Sequence, residues 1–167
     1  MFDRFVQGDQ EAFEAVYRRY EVEVRRWILR IVRDEDAADD VLVEAFWRAY
    51  RGRARFDPSR SFGAWMRRIA TNASLDHLKR VRRHATSRHA IPPVTGTRDD
   101  GLHDAITFAF RRLPPKLQVA ATLALVEGQP YAEIADALDI PVGTVKSRVF
   151  RAVRALRKEL DRLGVRP

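Results

Sequence analysis

Apolar residues recur at three- and four-residue intervals along most of the chain, and the strict alternation of a half-buried strand is absent. This spacing predicts a first helix from about Gln10 to Val32 and a second from about Asp36 to Tyr50. A third helix is predicted after Asp57-Pro58, with Ser59 or Ser61 as its N-terminal cap. Together these three helices are expected to close a small core.

The helical pattern lapses from about Arg82 to Gly101, where Pro92-Pro93 and several small polar residues interrupt it. Helical spacing resumes at Leu102 and continues nearly to the last residue. The predicted fold class is therefore all-α. Two small helical domains, residues 1–83 and residues 102–167, are expected to be joined by a flexible linker at residues 84–101.

Composition narrows the class of protein. Apolar residues make up 46% of the chain, which argues against wholesale disorder. No apolar run approaches the roughly 20 residues that cross a bilayer. The start, Met1-Phe2-Asp3-Arg4, lacks the basic-then-apolar order of a signal peptide. A cytoplasmic protein is expected. Because there are no cysteines, disulfides and thiolate metal sites are excluded for this chain.

Charge is distributed unevenly along the chain. Residues 1–47 carry 7 basic and 12 acidic side chains, a balance of −5. Residues 48–91 carry 12 basic and 2 acidic side chains (+10), and residues 92–167 carry 12 and 9 (+3). An acidic front followed by a basic middle favours two different partners, although a basic stretch by itself is also typical of an ordinary solvated face.

The segment Tyr131–Arg148 has the pattern of a helix-turn-helix, with apolar contacts between two short helices and Asp139 at the turn. Aspartate tolerates the left-handed conformation of such a turn better than most residues. The second helix carries a separate exposed face, since Ser147, Phe150, Arg151 and Arg154 recur at i, i+3, i+4 and i+7. A helix of this width fits the DNA major groove, where arginine pairs with guanine and an aromatic ring contacts a thymine methyl. The alternative is a helical hairpin with a solvated basic face.

At these residues the chain resembles the sigma-70 family, and within it the small extracytoplasmic-function group. Leu113-Pro114-Pro115, then 126–135 (VEGQPYAEIA) and 140–148 (IPVGTVKSR), are similar to that group's C-terminal domain. The first domain matches independently and in the right order. Residues 39–50 (DDVLVEAFWRAY) resemble the helix that binds the polymerase, and residues 56–58 with 62–72 resemble the promoter-melting segment.

The resemblance implies a sigma2-like domain of three or four helices and a sigma4-like helix-turn-helix domain. In the family, the partner of the second helix is the coiled coil of the polymerase clamp. The core-polymerase-binding residues implied here form a stripe that is distinct from the apolar one: Asp40, Val43, Glu44 and Trp47. The family commonly has glutamine where Val43 stands, so this one contact with the polymerase departs from the family's pattern. Packing of Trp47 against the first helix is the alternative.

Promoter DNA is the second implied partner. Basic residues in a loop and on the third helix would hold phosphates, and amide side chains beside apolar walls can receive unstacked bases. The residues assigned to the −10 element are Arg53, Arg55, Arg67, Arg68, Asn72, Asp76, Lys79 and Arg80. Those assigned to the −35 element are Thr144, Lys146, Ser147, Arg148, Phe150, Arg151 and Arg154. Trp65 lies on the apolar stripe, which favours core packing over stacking on DNA.

No catalytic constellation, phosphate-binding loop or metal-ligand spacing is present among the four histidines or elsewhere, so neither an enzyme nor a cofactor is expected. The function that the resemblance implies is an alternative sigma factor for transcription initiation, of a kind often tied to stress responses and held inactive by an anti-sigma factor. Alternatives are a sigma mimic that binds an anti-sigma factor and a stand-alone helix-turn-helix regulator. An RNA-processing or DNA-modifying enzyme is more distant.

Overall fold

A computed structural model describes residues 1–85 and 98–165 of the chain. Within these ranges the regular structure is entirely helical, which confirms the predicted fold class. The α-helices are α1 (Phe2–Val6), α2 (Gln10–Val32), α3 (Glu35–Gly52), α4 (Phe62–Ala85), α5 (Arg98–Arg112), α6 (Pro115–Ala121), α7 (Tyr131–Leu138) and α8 (Val142–Arg162). A 3₁₀ turn at Arg53–Arg55 follows α3, and a π-helical turn at Thr122–Val126 follows α6.

The chain divides into two compact units. The first comprises Met1–Leu78 with Ala135–Asp139, and the second comprises Lys79–Ile134 with Ile140–Pro167. Most of the predicted linker lies outside the described residues. At its margins α4 continues to Ala85 and α5 begins at Arg98, so helix occupies both ends of the stretch in which the hydrophobic pattern lapses.

Side-chain caps decide where the long helices of the first unit begin. Asp9, Asp34 and Ser61 each accept a hydrogen bond from the backbone N–H three residues later, at 2.8 Å for both aspartates and 3.3 Å for the serine. These bonds satisfy donors that the first helical turn leaves unpaired. Ser61 is therefore the cap of α4, whereas Ser59 lies in the preceding turn and donates its hydroxyl to Asp57.

Helix α1 is an element that the hydrophobic pattern did not predict. It brings Phe5, which is fully buried, and Phe2 onto the first turn of α4, where the Phe2 and Phe62 rings stack 5.2 Å apart. Trp65 completes this aromatic cluster, with its ring 4.9 Å from that of Phe56. Trp65 thus packs in the core, as its place on the apolar stripe predicts, although part of the side chain stays accessible.

The second unit is built around α5, α6 and α8. Its central apolar cluster consists of Ala109, Leu113, Ala121, Ala152 and Leu156. Pro115 occupies the first turn of α6, where its missing N–H costs nothing. Asp139, which is grouped with the first unit, lies in the turn between α7 and α8. Its φ is 53°, the left-handed conformation that the sequence predicts for this position.

Candidate nucleic-acid interface and partner surface

The outer stripe of α3 comprises Asp40, Val43, Glu44 and Trp47. The opposite side of the same helix is buried, with Val41, Ala45 and Phe46 in the core of the first unit. Val43 is 65% exposed and Trp47 is 52% exposed. Trp47 has the Tyr50 ring 6.1 Å away and the Arg51 guanidinium 5.8 Å from its ring centroid. Large apolar side chains this exposed among acids are typical of a surface that a partner covers.

Glu44 differs from the rest of the outer stripe because its carboxylate is already bound. Arg48, one turn further along α3, donates from Nε to Glu44 Oε1 at 2.7 Å. The same guanidinium donates to Asp76 Oδ2 on α4 at 2.9 Å. The stripe therefore presents two exposed apolar side chains and Asp40, beside the Glu44 carboxylate that Arg48 partly neutralises.

The two arginines predicted to hold DNA in the loop after α3 have different surroundings. Arg55 is exposed. Arg53 is partly buried, lies 4.3 Å from the Tyr50 ring centroid, and donates to the Tyr50 carbonyl at 2.8 Å. A Cβ added to Gly8 would come within 2.8 Å of the Arg53 guanidinium, so that glycine permits the close packing. These contacts support a structural task for Arg53 in addition to its predicted one.

One face of α4 collects most of the predicted −10 residues. Arg68, Asn72, Asp76, Lys79 and Arg80 recur at helical spacing, and all of them except the partly buried Asp76 are exposed. Arg67 lies beside this face. Its guanidinium donates to Glu23 at 2.9 Å and lies 5.6 Å from the centroid of the Trp27 ring. Helix α4 thus presents the Asn72 amide between basic residues. Asp76 lies on the same face, and its carboxylate accepts a hydrogen bond from Arg48.

Helix α8 presents a polar face opposite its buried one. Val145, Val149, Ala152 and Leu156 are buried, whereas Ser147, Phe150, Arg151 and Arg154 are exposed. Phe150 is 64% exposed, which is costly for a phenylalanine unless another surface contacts it. Arg151 donates from Nε to the Ser147 carbonyl at 3.3 Å, so its guanidinium lies along the exposed face.

The three remaining predicted −35 residues flank that face. Lys146 is exposed, and Thr144 and Arg148 are partly buried. Burial and the nearby charge of Arg151 lower the pKa of Arg148. An anion such as a phosphate would counteract this lowering, because its opposite charge stabilises the charged form of Arg148.

Sequence reasoning missed two groups. One is the pair of α1 aromatics, Phe2 and Phe5, which pack against Phe62 of α4 from a helix too short to show a periodic signal. The other is Arg48, whose i, i+4 relation to Glu44 is visible in the sequence but whose approach to Asp76 is not. Within the described ranges, no group of three or more acidic or histidine side chains is suited to a metal ion. In the same ranges, the helices are too short or too polar to span a membrane.

Two family models match the chain. Residues 16–84 match Sigma-70 region 2, which includes α3 and nearly all of α4. Residues 103–156 match Sigma-70 region 4, which includes α7 and most of α8.

Curated relatives match nearly end to end. The RNA polymerase sigma-H factor of Pseudomonas aeruginosa is 34% identical over 98% of this chain and 93% of that protein. The ECF RNA polymerase sigma factor SigW of Bacillus subtilis is 32% identical over 92% and 91% respectively. Among solved structures, CnrH in complex with the cytosolic domain of CnrY is 25% identical, with a TM-score of 0.56 over 96% of this chain and 94% of that one. The sigma factor RpoE in complex with the anti-sigma factor NepR, from Bartonella quintana, has the same fold at 20% identity and a TM-score of 0.54 over 90% and 98%.

Proposed function

This chain belongs to the extracytoplasmic-function group of the sigma-70 family. We propose that three separate surfaces bind the polymerase, the −10 element and the −35 element. The protein is a sigma factor that binds core RNA polymerase and promoter DNA and directs transcription initiation. Members of the family are initiation factors, and the polymerase carries the chemistry. Residues 1–83 form the sigma2-like domain for polymerase and −10 binding, residues 84–101 the linker, and residues 102–167 the sigma4-like domain for −35 binding.

The outer stripe of α3 is the polymerase-binding surface. What supports this assignment is the exposure of Val43 and Trp47 next to Asp40, on a helix whose other side is fully packed. A partner helix that offers both basic and apolar side chains would complement such a surface. Tryptophan is enriched among the residues that dominate binding energy in interfaces. Val43, in place of the family's usual glutamine, makes the centre of the stripe more apolar.

The exposed face of α4 is the −10 surface. Arg68, Lys79 and Arg80 hold backbone phosphates, and Asn72 hydrogen-bonds a base that has left the stack. What supports this assignment is the placement of an exposed amide within one basic helical face. Arg55 adds a phosphate contact from the preceding loop. Asp76 lies on the same face of α4 and accepts a hydrogen bond from Arg48.

The polar face of α8 reads the −35 element in the major groove. Ser147, Phe150, Arg151 and Arg154 contact base edges, while Thr144, Lys146 and Arg148 contact phosphates. The single observation that carries this assignment is the 64% exposure of Phe150 on a helix whose opposite face is buried. A stand-alone helix-turn-helix regulator would not account for the match of residues 16–84 to Sigma-70 region 2.

The protein works in the cytoplasm, where its polymerase is found, and it uses no cofactor of its own. Its activity is restrained by an anti-sigma factor. The complex of RpoE with NepR is a complex of this kind.

The test is in vitro transcription from a promoter library randomised at −35 and −10, with core polymerase and the full chain. Transcripts are expected to come from templates that share two elements. Arg151→Ala should relax selection at one −35 position, and Asn72→Ala should relax it in the −10 element alone. A chain that binds core polymerase but selects no shared element would refute the DNA assignments. One that binds only an anti-sigma factor would identify a mimic.

A further inference from the structure

Arg48 lies between the two helices that carry the proposed polymerase and −10 surfaces. From α3 it donates to Glu44 Oε1 at 2.7 Å and to Asp76 Oδ2 of α4 at 2.9 Å. The Arg48 side chain is 28% exposed, less than either carboxylate that it contacts. One guanidinium therefore joins an acid of the outer stripe to an acid of the α4 face.

The chemistry of this bridge suits arginine. A planar guanidinium offers several N–H donors in a fixed geometry, so it can bind two carboxylates in different directions at once. Hydrogen bonds to Glu44 and then to Asp76 raise the pKa of Arg48, while burial opposes them, so the group stays charged at every pH at which the protein works. Partial burial also reduces the screening that makes fully exposed ion pairs weak.

We infer that Arg48 is a positioning residue that couples the polymerase-binding stripe to the −10 surface through Glu44 and Asp76. The inference rests on the proposed function, in which Glu44 belongs to the polymerase-binding surface and Asp76 to the −10 surface. A basic side chain of the polymerase that approaches Glu44 competes with Arg48 for the same carboxylate. The guanidinium then shifts its hydrogen bonding toward Asp76, which changes the charge and orientation that the α4 face presents to DNA.

This coupling is reciprocal. If polymerase binding alters how Asp76 is held, then binding of −10 DNA must alter polymerase affinity by the same factor. The bridge thus links the two binding steps of a sigma factor through three side chains.

The experiment uses the full chain, core polymerase and a forked DNA that carries the −10 element without a −35 element. The affinity of the assembled holoenzyme for this DNA is measured for Glu44→Gln, Asp76→Asn and the double variant. The same three variants are then measured in an Arg48→Met background. With Arg48 present, the double variant should depart from the product of the single effects by a factor of at least about 3. With Arg48→Met, that departure should vanish.

Arg18→Met is the matched control, because Arg18 pairs with Glu14 on the exposed side of α2 at 3.5 Å. It should leave the coupling of Glu44 and Asp76 intact. If Arg48→Met fails to fold in a thermal scan, Arg48→Lys replaces it, since lysine keeps the charge but loses the fork and should reduce the coupling. Independent effects of Glu44→Gln and Asp76→Asn, or coupling that survives without Arg48, would overturn the inference. A wild-type chain that does not bind core polymerase would instead refute the proposed function.

Discussion

Trp27 on α2 donates a hydrogen bond from its indole Nε1 to Oγ1 of Thr71 on α4, at 2.9 Å, and both side chains are buried. The same Thr71 hydroxyl donates to the Arg67 carbonyl at 2.7 Å. Both hydrogen-bonding groups of the pair are thus satisfied inside the first unit. The contact fixes α4, which carries the proposed −10 residues, against α2.

Removal of this hydroxyl should destabilise the protein without changing its shape. Thr71→Val is nearly isosteric but leaves the buried indole N–H unpaired, which costs about 1–3 kcal/mol of unfolding free energy. Thr71→Ser keeps the hydroxyl and is the control. Denaturant unfolding of the two variants tests the expectation, and a Thr71→Val protein as stable as Thr71→Ser would contradict it.

Acid should weaken the start of α2. The Ala12 backbone N–H and then the Arg4 side chain lower the pKa of Asp9 below its ordinary value of 3.8. Because the folded-state pKa is the lower one, the stabilisation is present above pH 3.8 and is lost as the pH falls through the folded-state value. Asp9→Asn still caps the helix but cannot titrate there. The melting temperature of the wild type should exceed that of Asp9→Asn at neutral pH, and the gap should close in acid. A gap that stays constant down to about pH 2 would refute the assignment.

The outer stripe of α3 should show two kinds of contribution to polymerase binding. Trp47→Ala removes a half-exposed aromatic ring and should cost about 2 kcal/mol or more at any salt concentration. Asp40→Asn removes a charge, and its cost should shrink as salt rises. Titration of core polymerase at two ionic strengths separates the two effects. The same salt dependence for both variants would argue against an apolar centre at Val43 and Trp47.

Substitutions on α8 should distinguish residues that read bases from residues that bind phosphates. Arg151→Ala is expected to cost about 1–3 kcal/mol, concentrated at one base position of the −35 element. Lys146→Ala should weaken binding to all sequences alike and reduce the slope of affinity against salt. Binding to matched and scrambled −35 duplexes is the measurement. Equal losses on both duplexes for Arg151→Ala would contradict its assignment to a base.

Local signals were strong enough to predict much of this fold from the sequence. The spacing of Phe13, Val16 and Tyr20 predicts α2, and the structure begins and ends it at Gln10 and Val32 as expected. The left-handed turn at Asp139 follows from local backbone chemistry as well. Each of these features depends on residues that are close together in the chain.

The features that escaped prediction depend on distant residues or on short elements. Helix α1 has five residues and too few apolar positions for a periodic signal, and it is held by rings of α4. The bridge from Arg48 to Asp76 spans 28 positions, so no spacing rule indicates it. Arg67 is a basic residue in a basic stretch, and its hydrogen bond to Glu23, 44 positions away, is visible only in the folded chain.

The most direct test is competition between the purified full chain and the housekeeping sigma factor for core RNA polymerase. The wild-type chain should displace its competitor, and Trp47→Ala should do so only at a higher concentration while melting like the wild type. A folded, partner-free chain that fails to displace the housekeeping factor would contradict its assignment as a sigma factor. If substitutions of Trp47, Val43 and Asp40 leave the displacement unchanged, the polymerase-binding surface lies elsewhere on the molecule.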